Sequence, residues 1–276
     1  METIAIVTDS TADIPMDLAV QYHIYVIPNI LIVNGESLKD GIDLTRHDFY
    51  ERLPTMKAIP TTATASSGTY QHLYKKLLQE GVSQILSIHA SSLLSGIYNA
   101  ACVAAHSFEE RVHVIDSQSI TLGLGFQVLA AAEAALSEPI ERILKIIEDV
   151  RRRVHVIAML DTLEYVRRSG RVSWARARLG ELMHIKPLLE VKGGRVLSLG
   201  VARTRRKGIE RLVEFLYALG KLERLAIVHT NADKDAQELL ESLSLEIATP
   251  PVYVNVTTVI GTHTGPNALG FAAVAR

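Results

Sequence analysis

Four short stretches of this chain gather hydroxyl side chains where the acid group of a ligand could be gripped. They are Thr8-Asp9-Ser10-Thr11, the segment Pro60-Thr61-Thr62-Ala63-Thr64-Ala65-Ser66-Ser67-Gly68, Ser91-Ser92-Leu93-Leu94-Ser95-Gly96, and Asp116-Ser117-Gln118-Ser119. A hydroxyl donates one hydrogen and accepts two, and free N–H groups at helix starts serve a carboxylate or phosphate in the same way. A fifth stretch, Gly261 to Gly270, sets His263 between Thr262 and Thr264 and brackets it with three glycines and Pro266. As a loop it would bring backbone close to a ligand and hold the imidazole at its tip. Fixed positive charge comes from Gly170-Arg171-Val172 and from Arg203-Thr204-Arg205-Arg206-Lys207, and guanidinium forks suit a phosphate or an acidic partner.

Taken singly, each hydroxyl stretch is ordinary helix capping. Four of them at one edge of a sheet are harder to dismiss. Asp9 and Asp116 suit loop bracing better than catalysis. The competing chemistry is that of a hydrolase, with Ser95 as nucleophile and His263 as base. Leu94-Ser95-Gly96-Ile97 does not form the Gly-x-Ser-x-Gly elbow which that chemistry favours. A nucleotide binder is a third reading, but no Gly-x-Gly-x-x-Gly opens a helix after the first strand and no Walker lysine motif is present.

The elements that must position these residues alternate. Ile4 to Val7 reads as a strand, as do two pieces within Tyr22 to Val33 split at Pro28-Asn29. Helix Gly68 to Gln79, strand Ile85 to His89, helix Tyr98 to His106 and strand Val112 to Ile115 follow. Helices around Gly125 to Leu136 and Pro139 to Arg151 complete this half, Pro139 being suited to a first turn. The spacing predicts a mostly parallel sheet flanked by helices, and in such sheets ligands bind beyond the carboxyl ends of the strands.

After about residue 153 the pattern changes. Strand Val154 to Leu160, helices Thr162 to Arg168 and Ala175 to His184, and a hairpin of Leu188–Val191 with Val196–Leu199 turning at Lys192-Gly193-Gly194-Arg195 come first. Helix Lys207 to Leu219, strand Leu225 to His229, helix Asp233 to Leu243, strand Val252 to Val256 and a last strand after Leu269 end the chain. The reading is α/β throughout: residues 1–153 as an N-terminal domain and 154–276 as a second α/β domain with a mixed or antiparallel sheet.

Bulk composition narrows the partners. The chain has 276 residues, 48% of them hydrophobic but only 5% aromatic, so its interior is aliphatic and suits an aliphatic ligand better than a stacked ring. The formal net charge of −1 provides no field to steer nucleic acid. Cys102 is the sole cysteine, which excludes an internal disulfide and a multi-cysteine zinc site; its apolar surroundings suggest a buried, inert thiol. No signal peptide or apolar stretch of spanning length is visible, so a soluble cytoplasmic protein is expected.

Several motifs, in order along nearly the whole chain, resemble the DegV family. Thr8-Asp9-Ser10-Thr11-Ala12-Asp13-Ile14-Pro15 matches its opening Asp-Ser motif. Ser92-Leu93-Leu94-Ser95-Gly96-Ile97-Tyr98 resembles its Ser-Gly-Thr-Tyr loop, with Ile97 for threonine. Asp116-Ser117 with Gly123-Leu124-Gly125, Leu163-Glu164-Tyr165 with Ser169-Gly170-Arg171-Val172, the Arg203–Lys207 run and Gly261-Thr262-His263-Thr264-Gly265-Pro266 continue it. One segment departs: where the family carries Thr-Ser-Gln-Pro-Ser, this chain has Thr62-Ala63-Thr64-Ala65-Ser66.

The resemblance implies two α/β domains with a long-chain fatty acid such as palmitate between them, and a carrier rather than an enzyme. It implies that Thr62 and Ser95 hydrogen-bond the carboxylate, with His263, Gly96 and Thr264 near the head group. Arg171 and Arg205 become candidates for contact with a partner or phosphate, since some relatives present lipid to a fatty-acid kinase. No metal or cofactor is expected besides the bound acid.

Overall fold

The structure, a computed structural model, describes residues 3–172, 174 and 185–276. The expected helix Ala175 to His184 lies outside the described residues.

Four parallel strands form the first sheet: β1 (Ile4–Asp9), β2 (Tyr25–Ile27), β6 (Gln84–His89) and β7 (Val112–Asp116), in the order β2-β1-β6-β7. Central strands β1 and β6 are buried over almost their full length, as apolar runs covered on both faces must be. Helices α3 (Ser67–Gln79) and α4 (Ile97–Ala105) pack together beside this sheet. Cys102 on α4 is half-buried rather than buried, because it shares its helix turn with the outward Val103, which is 62% exposed.

A small antiparallel sheet is inserted between β2 and α3. Its strands are β3 (Ile30–Val33), β4 (Glu36–Lys39) and β5 (Thr61–Ala63), in the order β4-β3-β5, with α2 (Arg46–Arg52) packed beneath on Leu31, Phe49, Tyr50 and Leu53. Of this unit the sequence pattern predicts only β3. The Pro60–Gly68 hydroxyl segment is therefore divided between this sheet and the start of α3, not set at the parallel sheet edge: Thr62 sits on β5, paired opposite Leu31, and Ser66 caps α3.

The second main sheet has six strands. These are β8 (Val154–Met159), β9 (Lys186–Lys192), β10 (Arg195–Ala202), β11 (Leu222–His229), β12 (Val252–Asn255) and β13 (Leu269–Ala275). Their order is β10-β9-β8-β13-β11-β12, antiparallel except for the β11–β12 pair. Lys192 pairs with Arg195, leaving Gly193-Gly194 as the hairpin turn. On one face lie α8 (Arg205–Ala218) and α9 (Asp233–Ser242), whose Leu212, Leu216, Ala236 and Leu239 share a core with Leu225, Ile227 and Phe271.

The opposite face shares a single core with the first sheet. Ile6, Leu86 and Ile88 cluster with Val156, Val228 and Ala272 through α5 (Thr121–Ala134). This helix is buried without a break from Thr121 to Ala132, as expected of one that is apolar all round. It passes so close to the first strand's loop that a Cβ on Gly125 would stand 2.5 Å from the Ala12 carbonyl. Beside it, α6 (Ile140–Arg153) shows the spacing of a one-sided helix, burying Ile140, Ile143, Ile147 and Val150 and turning its charges outward.

Two short helices finish the frame, α7 (Glu164–Ser169) and α10 (Thr258–Thr264), which pack on each other. The second corrects an expectation: His263 is not at a loop tip but in the last turn of a helix that ends at Gly265. Among the described residues, no helix is long and apolar enough to cross a membrane.

Candidate ligand site

Between the two main sheets lies a cavity of about 170 Å³. Its walls are aliphatic and come from both halves: Leu94, Ile97 and Ile120 from the first, Val156, Leu189 and Val228 from the second, with Val259 and Ile260 of α10 closing a side. Thr62, Ser95, His263, Thr264 and Arg171 also line it. The structure thus brings to one cavity residues drawn from β5, the β6–α4 loop, α10 and the end of α7.

At the polar side, His263 Nε2 lies 2.9 Å from Thr62 Oγ1. Ser95 is anchored by its backbone, its N–H donating to the Ser91 carbonyl at 3.1 Å. The Ser95 hydroxyl oxygen accepts from Ile97 N–H at 3.4 Å, which leaves its hydrogen to donate. The Thr264 hydroxyl donates to the Ile260 carbonyl at 3.0 Å, so its hydrogen is spent within its own helix. Gly96 is the N-cap of α4; it does not line the cavity, and its α-carbon faces Thr64. Arg171 is exposed at the rim and donates to the Ser169 carbonyl at 2.8 Å.

Arg205 lies elsewhere. Its guanidinium is paired with Asp235, sits 3.6 Å from Asp161 and donates to the Asn267 carbonyl at 2.7 Å, and it does not line the cavity.

Among the described residues, the polar side carries neutral donors with Arg171 at the rim. Burial, reinforced by the Arg171 charge, pushes the His263 ring down to about 4, so it is uncharged at pH 7. Neither Asp9 nor Asp116 is engaged with it. Asp116 accepts from Ser92 and Gln118. Asp9 accepts from Thr11, Asn29, Ala90 N–H and His89. Burial would raise the Asp9 carboxyl, but its bonds to His89 and Thr11 outweigh that and hold it below the ordinary value.

Beyond His89, the chain of bonds runs on to Ser87 at 2.7 Å and to Tyr74 at 2.7 Å. Asp9, His89 and Ser87 have the order of a hydrolytic triad, yet all three are fully buried and Ser87 is not among the cavity's lining residues. The network braces the ends of β1 and β6, which carry Thr11 and Ala90 into the cavity wall.

Sequence reasoning passed over Thr230, a further hydroxyl in the wall. It follows β11 and accepts from Ala268 N–H at 2.7 Å. The signal was available: it is one more hydroxyl directly after a strand's carboxyl end. Among the described residues, no group of three or more His, Cys, Asp or Glu side chains could hold a metal ion.

Fold and site together define a class: an α/β protein with an apolar cavity between a parallel and a mixed sheet, polar along one side. The model of a family described as "Uncharacterised protein, DegV family" matches residues 3–276, and the chain belongs to the DegV family. It is similar to Protein DegV of Bacillus subtilis, 35% identical over 276 residues covering 97% of each chain. Among solved structures, that of a DegV family protein from Thermus thermophilus, described by its fatty acid binding, has TM-score 0.91 and 31% identity over 99% of this chain and 100% of the other. The structure of DegV from Bacillus subtilis, described as a fatty acid binding protein, has TM-score 0.88 and 32% identity over the whole of both chains.

Proposed function

We propose that this protein binds one long-chain fatty acid, such as palmitate, with the chain in the cavity between the sheets and the carboxylate at Thr62 and Ser95. The observation that carries this reading is the cavity itself, whose aliphatic walls meet hydroxyl and imidazole donors on one side. The fatty acid binding named for two relatives of the same fold supports it.

The energetics are those of tail burial. Each methylene removed from water contributes about 0.8 kcal/mol, so a tail of roughly 15 contributes on the order of 12 kcal/mol before association costs. The head group would lose several kcal/mol on leaving water unless it is hydrogen-bonded. With His263 neutral and donating from Nε2 to Thr62 Oγ1, the Thr62 hydrogen is free to point at the carboxylate. Ser95 supplies a second donor, with Gly96 and Thr264 close by. Neutral donors without a buried ion pair accept the acid or its acyl phosphate alike.

The protein acts in this reading as a carrier, with residues 1–153 and 154–276 as two lobes around the lipid, and no cofactor besides that lipid. It works in the cytoplasm and presents its cargo to a fatty-acid kinase. Arg171, exposed at the rim, is the candidate contact for that partner or the transferred phosphate. Arg205, already paired with Asp235, is a candidate only through the outer surface.

Denaturing extraction of the purified protein followed by mass spectrometry is expected to release a long-chain acid. Thr62→Val combined with Ser95→Ala is expected to cut retention at least about tenfold, the loss of roughly two modest hydrogen bonds, with the unfolding transition unchanged. Undiminished retention in that protein would overturn the head-group assignment.

A further inference from the structure

The two residues that meet at the head-group site arrive from opposite ends of the chain, Thr62 from β5 and His263 from α10. The sequence of α10 does little to favour a helix there. It has seven residues, a glycine at Gly261, β-branched side chains at Thr258, Val259 and Ile260, and no side-chain cap from Thr257. Such a segment has poor intrinsic helix propensity.

Its first turn is instead held from outside, by buried carboxylates. Asp40, directly after β4, accepts from Thr258 N–H at 3.2 Å and from the Thr258 hydroxyl at 2.7 Å. Its other oxygen takes the Thr257 hydroxyl. Asp13 accepts from Thr257 N–H at 2.8 Å and is paired at 3.2 Å with Arg46, which also donates to the Asn255 carbonyl. Tyr50 of α2 donates to the Val256 carbonyl at 3.0 Å and packs where a Cβ on Gly261 would stand.

Asp40, Arg46 and Tyr50 all belong to the inserted three-stranded unit, the same unit that carries Thr62. Both halves of the Thr62–His263 contact are therefore referenced to one unit of the fold. Thr62 is registered to it by pairing with Leu31, and α10 is registered by the Asp40 bonds. His263 stands five residues beyond Thr258, about 7.5 Å up the helix axis. A change of tilt at the first turn moves the ring away from Thr62.

We infer that Asp40, assisted by Asp13, is a positioning residue for the head-group site: it holds the start of α10 on the inserted sheet and so sets His263 against Thr62. Both carboxylates also lie at the end of the helix where negative charge is favoured. This inference rests on the lipid-binding reading for its consequence, but not for its geometry.

The test compares Asp40→Ala, Asp40→Asn and Thr258→Val with the unaltered protein, all stripped of lipid. Palmitate affinity is measured by calorimetry, and the His263 ring signals by nitrogen NMR without ligand. Asp40→Ala is expected to weaken palmitate binding about tenfold, as for one head-group hydrogen bond put out of line. Adding Thr62→Val to it should then cost little more, because both act through the same contact. The ring signals should move in Asp40→Ala and stay close to their original positions in Asp40→Asn, which keeps an acceptor for Thr258.

Should Asp40→Ala fail to fold, Thr258→Val removes one of the same bonds and is expected to move the signals in the same direction. Unaltered affinity with unmoved ring signals, or losses for Asp40→Ala and Thr62→Val that simply add, would overturn the inference. If the unaltered protein takes up no palmitate, the lipid-binding reading fails by itself. The ring signals alone then decide the positioning role.

Discussion

His263 shows what a single buried ring contributes. Its value of about 4, against an ordinary 6.5, follows first from burial and then from Arg171. A folded ring that takes its proton less readily than the unfolded one leaves the unfolded chain binding more protons between pH 6.5 and 4. Stability from this group is therefore lost as pH falls through that window. Carbon NMR of the ring is expected to titrate with a midpoint near 4, and the midpoint should rise in Arg171→Gln, where the repelling charge is gone. A midpoint near 6.5 in the unaltered protein would show that the ring is neither buried nor repelled as described. In the proposed lipid complex, neutrality keeps a full charge away from the acid, and a ring that donates at Nε2 leaves the Thr62 hydrogen free to point at it.

At the scale of elements, α5 is the piece the two main sheets share. Its small residues let backbone approach backbone. Gly125→Ala would normally favour a helix by up to about 1 kcal/mol. Here the new methyl meets the Ala12 carbonyl, with Leu122 and Ile14 side chains at 3.1 and 3.3 Å. The net expectation is a loss of about 1–3 kcal/mol in urea unfolding; a gain would mean the helix is not pressed against that loop.

The same scale decides what could be read in advance. The strands of the parallel sheet were legible because burial on both faces writes them as apolar runs, such as Ile4 to Val7. The outer helix α6 was legible because Ile140, Ile143, Ile147 and Val150 recur at helical spacing. Strands β4 (Glu-Ser-Leu-Lys) and β5 (Thr-Thr-Ala) carry no apolar alternation and exist because β3 pairs with both. Helix α10 has a loop's composition and is a helix because Asp40, Asp13 and Tyr50 hold it. The contact between Thr62 and His263 joins residues 201 positions apart, which no local spacing reveals; only the family's motifs brought them together beforehand. The pairing of Arg205 with Asp235 was likewise invisible to a reading confined to the basic run.

Over the whole molecule, one core joins the two halves and leaves a cavity where their sheets face each other. Close packing of side chains is the rule in protein interiors; here residues from both sheets line an apolar cavity with donors gathered to one side. The inserted sheet brings Thr62 to the polar side, while the main sheets supply the aliphatic walls. The departure at Ala63-Thr64-Ala65 falls within this inserted sheet and the turn into α3, and Thr62 keeps its place through pairing with Leu31.

The most direct measurement is diffraction from crystals of the protein carrying its co-purified lipid. An unbranched chain should run between Val156 and Ile97, ending in an acid group whose oxygens lie within about 3.2 Å of Thr62 Oγ1 and Ser95 Oγ. A cavity closed by the protein's own side chains, or a lipid whose acid end lies away from both hydroxyls, would contradict it.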